Sequence, residues 1–155
     1  MMKEENKCRI QKTMRRVIVR IVVHCSATQE GKDYRKADVD RWHRAKGWNG
    51  CGYHYVIGLD GKIELGRNIE DKGAHVGAYN PGSVGIVYIG GLDKWGKAKD
   101  TRTEAQKESL LWLLTEMRRL YPSAVIIGHR DLPGVKKACP CFDAKKEYNA
   151  ILPPK

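Results

Sequence analysis

The sequence predicts a mixed α/β fold, in which a central mixed β-sheet is flanked by α-helices. Residues 17–23 form a nearly continuous β-branched apolar run, which is typical of a central strand covered on both faces. Apolar segments on both sides of Asp60-Gly61 indicate a β-hairpin, and residues 103–120 carry apolar side chains at helical spacing. Because strand and helix signals alternate along the chain, we expect the helices to pack on the faces of one sheet.

The first half of the chain contains four predicted elements. The apolar run predicts a strand over residues 17–24, with His24 at its carboxyl end. A helix is predicted over residues 36–46, and Gly47 follows it as a C-terminal cap. The hairpin strands are predicted over residues 53–57 and 62–65, because an Asp-Gly dipeptide favours the tight turn between them.

The second half of the chain contains the most strongly patterned helix. Thr103 and Gln106 form a capping-box pattern at its start. Its apolar stripe consists of Leu110, Leu113, Leu114, Met117 and Leu120. Strands are predicted over residues 84–89 and 124–127, and a last helix is predicted to begin near Asp143, whose side chain can cap it.

The composition is that of one globular domain. The chain has 155 residues, of which 41% are hydrophobic and 30% charged, and it contains no repeat or low-complexity segment. We predict a polar N-terminal tail over residues 1–13 and a single folded domain over residues 14–155. The net charge of +11 favours an anionic partner, such as a nucleic acid, a membrane surface or a cell-wall polymer, without choosing among them.

No targeting segment is predicted from the sequence. The apolar run over residues 17–23 is interrupted by Arg20, so we expect neither a signal peptide nor a membrane span, and we expect synthesis in the cytoplasm. The five cysteines follow no regular spacing. In a reducing compartment such cysteines are more often buried, metal-bound or catalytic than bridged.

Three residues form a candidate metal site. His24 and His129 each follow or end a predicted strand, and Cys139 lies in a Pro-broken stretch that could fold back toward the same sheet edge. Two imidazoles and one thiolate leave the fourth tetrahedral position of a zinc ion open for water. The spacing alone does not distinguish this site from a core histidine and a buried thiol, so both interpretations remain open at this point.

Seven short motifs occur in the order that one known family shows. They are residues 23–28 (VHCSAT), 52–55 (GYHY), Asp60-Gly61 with Gly66-Arg67, 73–80 (GAHVGAYN), 83–86 (SVGI), Gly128-His129, and 137–140 (KACP) with Phe142-Asp143. Together they span about residues 17–148, and by them the sequence resembles the type 2 N-acetylmuramoyl-L-alanine amidases. That family includes the small phage amidase-lysozymes and the peptidoglycan recognition proteins.

The resemblance implies a zinc hydrolase and assigns its residues. One Zn²⁺ would be held by His24, His129 and Cys139, while Tyr53 and Lys137 would assist the reaction. The expected reaction is hydrolysis of the amide bond between N-acetylmuramic acid and L-alanine in bacterial peptidoglycan. We expect Lys137 to stabilise the developing oxyanion and Tyr53 to position the attacking water.

Other residues of the matching motifs have less direct roles. His75 and Asn80 are predicted to line the substrate groove, where the glycines of their loop allow close approach of the substrate. Cys141 departs from the family pattern and offers a second thiol near the metal. We prefer Cys139 as the ligand, because its place after Lys137-Ala138 matches that of the family's ligand.

Two alternative functions remain open at the level of sequence. The chain could be a peptidoglycan-binding module without catalysis, or an amidase with a second role as a polymerase or regulatory partner, as some phage relatives have. The complete set of proposed site residues favours the enzyme. We predict a monomer that acts on peptidoglycan in the cell wall after release, without membrane insertion and without direct nucleic-acid binding.

Overall fold

A five-stranded mixed β-sheet forms the centre of the structure, a computed structural model that describes residues 2–153. The strands are β1 (Arg20–Cys25), β2 (Thr28–Gln29), β3 (Tyr55–Ile57), β4 (Ile63–Leu65), β5 (Ser83–Tyr88), β6 (Gly91–Leu92) and β7 (Val125–Gly128). The main sheet has the order β4-β3-β5-β1-β7, and β2 pairs with β6 separately. All neighbours are parallel except β3 and β4, which form the hairpin predicted around Asp60-Gly61.

In the described part of the chain, three α-helices accompany the sheet: α1 (Lys36–Ala45), α2 (Glu104–Leu120) and α3 (Ala144–Tyr148). The predicted capping box starts α2, where Thr103 Oγ1 accepts from the Gln106 N–H at 3.0 Å and Gln106 Oε1 accepts from the Thr103 N–H at 2.9 Å. The predicted mixed α/β fold is therefore confirmed. Within residues 2–153, no helix combines the length and the apolar character needed to cross a bilayer.

The two faces of β1 serve different purposes. Ile21, Val23 and Cys25 belong to the main core together with the buried leucines of α2. Val22 packs on the opposite face in a separate cluster, and His24 shares that face because side chains alternate along a strand. Alternate residues of β1 therefore pack into the main core on one side of the sheet, and His24 lies on the other side.

Two predicted strands begin two or more residues before the strands in the structure. β1 begins at Arg20, and Val17 is 80% exposed, because the ladders to β5 and β7 both begin opposite Arg20. β3 begins at Tyr55 and not at residue 53. Before it, the Gly52 N–H donates to His43 Nδ1 at 2.8 Å.

The N-terminal segment lies against the main core. Met2, Cys8 and Ile10 contact the core, and the Asn6 side chain donates to the Asp60 carbonyl at 3.0 Å. Burial raises the pKa of Cys8 to about 11. The division of the chain into a tail over residues 1–13 and a domain over residues 14–155 stays a prediction, and Met1, Pro154 and Lys155 lie outside the described residues.

His54 is a structural histidine between β3 and β5. Its Nδ1 accepts from the Gly85 N–H at 3.0 Å, so its proton is on Nε2, which donates to the Asp71 carbonyl at 2.8 Å. The side chain is 1% exposed. Burial, together with the positive charge of Arg16, lowers the pKa of His54 to about 4, although the hydrogen bond to Asp71 acts in the opposite direction.

We expect the free energy of unfolding to decrease as the pH falls from about 7 to about 4. In the unfolded chain His54 has an ordinary pKa near 6.5 and takes up a proton in this range, whereas the folded protein keeps His54 neutral until about pH 4. The shift corresponds to roughly 3 kcal/mol. Urea unfolding of the wild type and of His54→Gln at several pH values measures the effect, and an equally steep pH dependence in both proteins would contradict it.

Candidate active site

The strand order places two histidines side by side. His24 lies near the carboxyl end of β1, and His129 directly follows β7, which pairs in parallel with β1. Their ring centroids are 4.7 Å apart. The carboxyl ends of parallel strands form one edge of the sheet, which is where open α/β sheets commonly bind ligands.

Cys139 reaches the same edge from the loop that follows His129. The Arg130 N–H donates to the Cys139 carbonyl at 2.9 Å, and the Cys25 N–H donates to Cys139 Sγ at 3.2 Å. A Cβ at Gly128 would lie 2.6 Å from Cδ of Pro140, so only glycine lets this loop lie on β7. The ligand atoms of His24, His129 and Cys139 all lie within 4.8 Å of one another.

The protonation states of these three groups suit a metal ion. A hydrogen bond from the Cys25 side chain lowers the pKa of Cys139, and the charge of Lys137 adds to this effect. Burial lowers the pKa of His24 well below its usual value and also lowers that of His129. Neutral imidazoles and a readily ionised thiol are the forms in which these side chains bind metals, so this donor set fits zinc.

Cys141 lies outside this cluster. Its Sγ is 3.3 Å from the Gly91 carbonyl and 3.8 Å from Cys25 Sγ. Burial raises the pKa of Cys141 to about 11, the opposite direction from that of Cys139. The structure therefore brings Cys139 to the two histidines and directs Cys141 toward β6.

Tyr53 and Lys137 border the same cavity, which has a volume of about 250 Å³. The Tyr53 ring centroid is 5.0 Å from that of His24. Burial raises the pKa of Tyr53, so its hydroxyl stays protonated at neutral pH. Lys137 is exposed at this cavity, and its charge lowers the pKa of His129 and of Cys139.

His75 and Asn80 lie beside the cluster and contact each other. Asn80 Oδ1 accepts from the backbone N–H groups of His75 and Val76, at 3.0 and 2.8 Å. His75 Nδ1 is 2.9 Å from His24 Nε2. Both side chains also line a neighbouring groove of about 310 Å³, and their role in substrate binding stays a prediction.

Trp48 is a site residue that sequence reasoning missed. It lines both the cavity and the neighbouring groove. Its ring centroid lies 4.7 Å from that of His43, with the two rings tilted by 57°, and Lys46 Nζ lies 5.1 Å from its centroid. The sequence did contain a signal for it. Trp48 directly follows Gly47, beyond the end of the helix, so it cannot belong to the buried face of that helix. A half-exposed indole of this kind is a common contact surface for ligands.

A larger cleft of about 600 Å³ lies beside α1. Its charged side chains bind mainly to the protein itself: Arg44 Nε is 2.7 Å from Asp40, and Arg67 Nε donates to the Cys51 carbonyl at 3.1 Å. The reactive groups described above lie in the smaller cavity.

Comparisons with known proteins show the family to which the chain belongs. A family model described as N-acetylmuramoyl-L-alanine amidase matches residues 14–142. The endolysin of Klebsiella phage KP32 is 40% identical over 146 residues, which cover 93% of this chain and 95% of that protein. The endolysin of Escherichia phage T7 is 38% identical over 146 residues, with the same coverage of 93% and 95%.

Solved structures share the fold. The endolysin and N-acetylmuramoyl-L-alanine amidase LysCS from Clostridium intestinale URNW has a TM-score of 0.72 at 25% identity, over 89% of this chain and 84% of that chain. Drosophila PGRP-LB has a TM-score of 0.70 at 25% identity, over 90% and 84%. Since the family model matches most of the sequence and the phage relatives match nearly all of it, the chain belongs to the N-acetylmuramoyl-L-alanine amidase family.

Proposed function

We propose that the protein is a zinc-dependent amidase that hydrolyses the bond between N-acetylmuramic acid and L-alanine in bacterial peptidoglycan. One observation carries this proposal: in a member of this family, the ligand atoms of His24, His129 and Cys139 lie within 4.8 Å of one another at a solvent-accessible cavity. A merely structural zinc site would have four protein ligands, whereas three leave a position for the reaction.

The three ligands would hold one Zn²⁺. A zinc ion there would supply Lewis-acid polarisation of the substrate carbonyl and would lower the pKa of water toward neutrality. The complete donor set, with a thiol whose pKa is lowered at Cys139, favours hydrolysis over a purely binding function.

Lys137 and Tyr53 supply two different kinds of hydrogen bond. The ammonium of Lys137, exposed at the cavity, donates to the carbonyl oxygen of the scissile amide as negative charge develops on that oxygen. Because its pKa is raised, Tyr53 keeps its proton and therefore acts as a donor that orients the reacting groups, not as a base.

The surroundings of the cavity suit a peptide joined to a sugar. The Trp48 indole offers an apolar surface at the junction of the cavity and the groove that His75 and Asn80 line. Lys46 and Lys137 border the cavity, and their positive charges favour binding of the carboxylates of a stem peptide. We propose that the protein is a monomer and that it acts on peptidoglycan in the cell wall after its release.

Digestion of purified peptidoglycan tests the proposed reaction. We expect stem peptides that begin with L-alanine, detected by mass spectrometry, because the amide bond is the one that is cut. A chelator should abolish their release, and added Zn²⁺ should restore it. Release of reducing sugars instead, or full activity after complete removal of metal, would refute the proposal.

Separate substitutions of the two neighbouring cysteines test the third ligand. We expect Cys139→Ser to lose bound zinc, because the Sγ of Cys139 lies with the two histidines, and Cys141→Ser to keep about one equivalent. Metal analysis of the purified proteins measures this. The assignment is wrong if the two variants exchange these results.

Replacement of Lys137 tests the role of its ammonium. We expect Lys137→Ala to keep its zinc but to lose about 100- to 1000-fold in kcat, the usual cost of one oxyanion donor. The exposed neighbour Lys136 does not line the cavity, so Lys136→Ala is the matched control. Equal rates for the two variants would exclude this role for Lys137.

A further inference from the structure

The two ring nitrogens of His24 have different surroundings. Nδ1 lies 3.9 Å from Cys139 Sγ and therefore faces the proposed metal site. Nε2 lies 2.9 Å from Nδ1 of His75, and the two rings meet edge to face at an angle of 83°. His24 is 1% exposed, so water does not compete for this contact.

This geometry determines which atoms carry protons when His24 binds a metal. A neutral imidazole has one N–H, and the nitrogen that binds the metal must be the one without it. If Nδ1 of His24 binds the metal, its Nε2 carries the proton and donates to His75. His75 must then accept at Nδ1 and carry its own proton on Nε2.

The ring of His75 is held closely enough to act as such an acceptor. A Cβ at Gly85 would lie 2.8 to 2.9 Å from three atoms of the ring, and a Cβ at Gly73 would lie 2.5 Å from its Cδ2. The two glycines let the ring lie directly on the backbone of β5 and of its own loop. The backbone N–H of His75 donates to Asn80 Oδ1 at 3.0 Å.

A purely structural role does not explain a histidine at this position. Among residues 2–153, Nε2 of His75 is buried and has no hydrogen-bond partner. Burial of an unpaired polar group is unfavourable, so an apolar side chain of similar size would fill the space at a lower cost. The feature that such a side chain lacks is the acceptor at Nδ1.

We propose that His75 is a positioning residue of the zinc site, which accepts a hydrogen bond from His24 Nε2 and thereby holds His24 with Nδ1 toward His129 and Cys139. Histidine ligands commonly donate their second N–H to a protein acceptor that determines tautomer and ring orientation. This role rests on the proposed function, because it assumes that zinc occupies the cluster. It is distinct from the substrate contact predicted for His75 from the sequence.

Zinc affinity distinguishes this role from a contact with substrate. We compare the dissociation constant of zinc, measured by competition with a chromogenic chelator, in the wild type, His75→Leu and His75→Asn. Leucine has a similar size without an acceptor, and we expect it to weaken zinc binding by about 10- to 100-fold. Asn Oδ1 can take the place of His75 Nδ1, so His75→Asn should bind zinc nearly as tightly as the wild type.

The outcomes separate this inference from the proposed function. Tight zinc binding by the wild type together with equally tight binding by a folded His75→Leu overturns the role of His75 and leaves the amidase proposal intact. A wild type that binds no zinc refutes both. Circular dichroism of the metal-free variants shows whether each one is folded.

A second measurement needs no variant. Long-range ¹H–¹⁵N spectra of the zinc-loaded wild type report the tautomer of each histidine, and we expect His24 to carry its proton on Nε2. His24 protonated at Nδ1 overturns the inference even if His75→Leu fails to fold.

Discussion

The parallel pairing of β1 with β5 on one side and β7 on the other is the constraint on which the site depends. It aligns the carboxyl ends of β1 and β7, so that His24 and His129 meet although they come from opposite ends of the sequence. The alternation of side chains then determines the face: Ile21 and Val23 turn toward α2, and His24 turns away from it. Core and site are therefore two sides of the same strand.

Glycines allow the loops of the site to lie directly on this sheet. Gly128 in β7 admits the loop that carries Cys139, and Gly85 in β5 admits the ring of His75. A side chain at Gly128 would overlap Pro140, which follows the proposed ligand Cys139, and one at Gly85 would overlap the ring of His75, because these atoms lie less than 3 Å away. Close packing of backbone and ring thus replaces flexible contacts, which suits a site that must hold its groups in one geometry.

Electrostatic tuning comes from the same strand. Cys25 follows His24, and both its N–H and its side chain hydrogen-bond to Cys139. These bonds lower the pKa of Cys139, while the pKa of Cys25 is raised by the same hydrogen bond. β1 therefore provides one proposed ligand and also the group that favours the thiolate form of another, and Lys137 adds positive charge from the exposed side.

The sequence by itself determined the features that depend on near neighbours. Patterns that span only a few residues predict the strand that ends near His24, the capping box of Thr103 and the turn at Gly61. Gly61 takes a φ of +85° in this turn. The family resemblance supplied the ligand set but left Cys141 as a competitor for Cys139. Only the tertiary structure showed that Cys141 turns toward Gly91, that His75 contacts His24, and that Trp48 borders the cavity.

The contact of Cys25 with Cys139 joins residues 114 positions apart. Local periodicity carries no information about such contacts, because they depend on strand order and on which loops the glycines allow to approach the sheet.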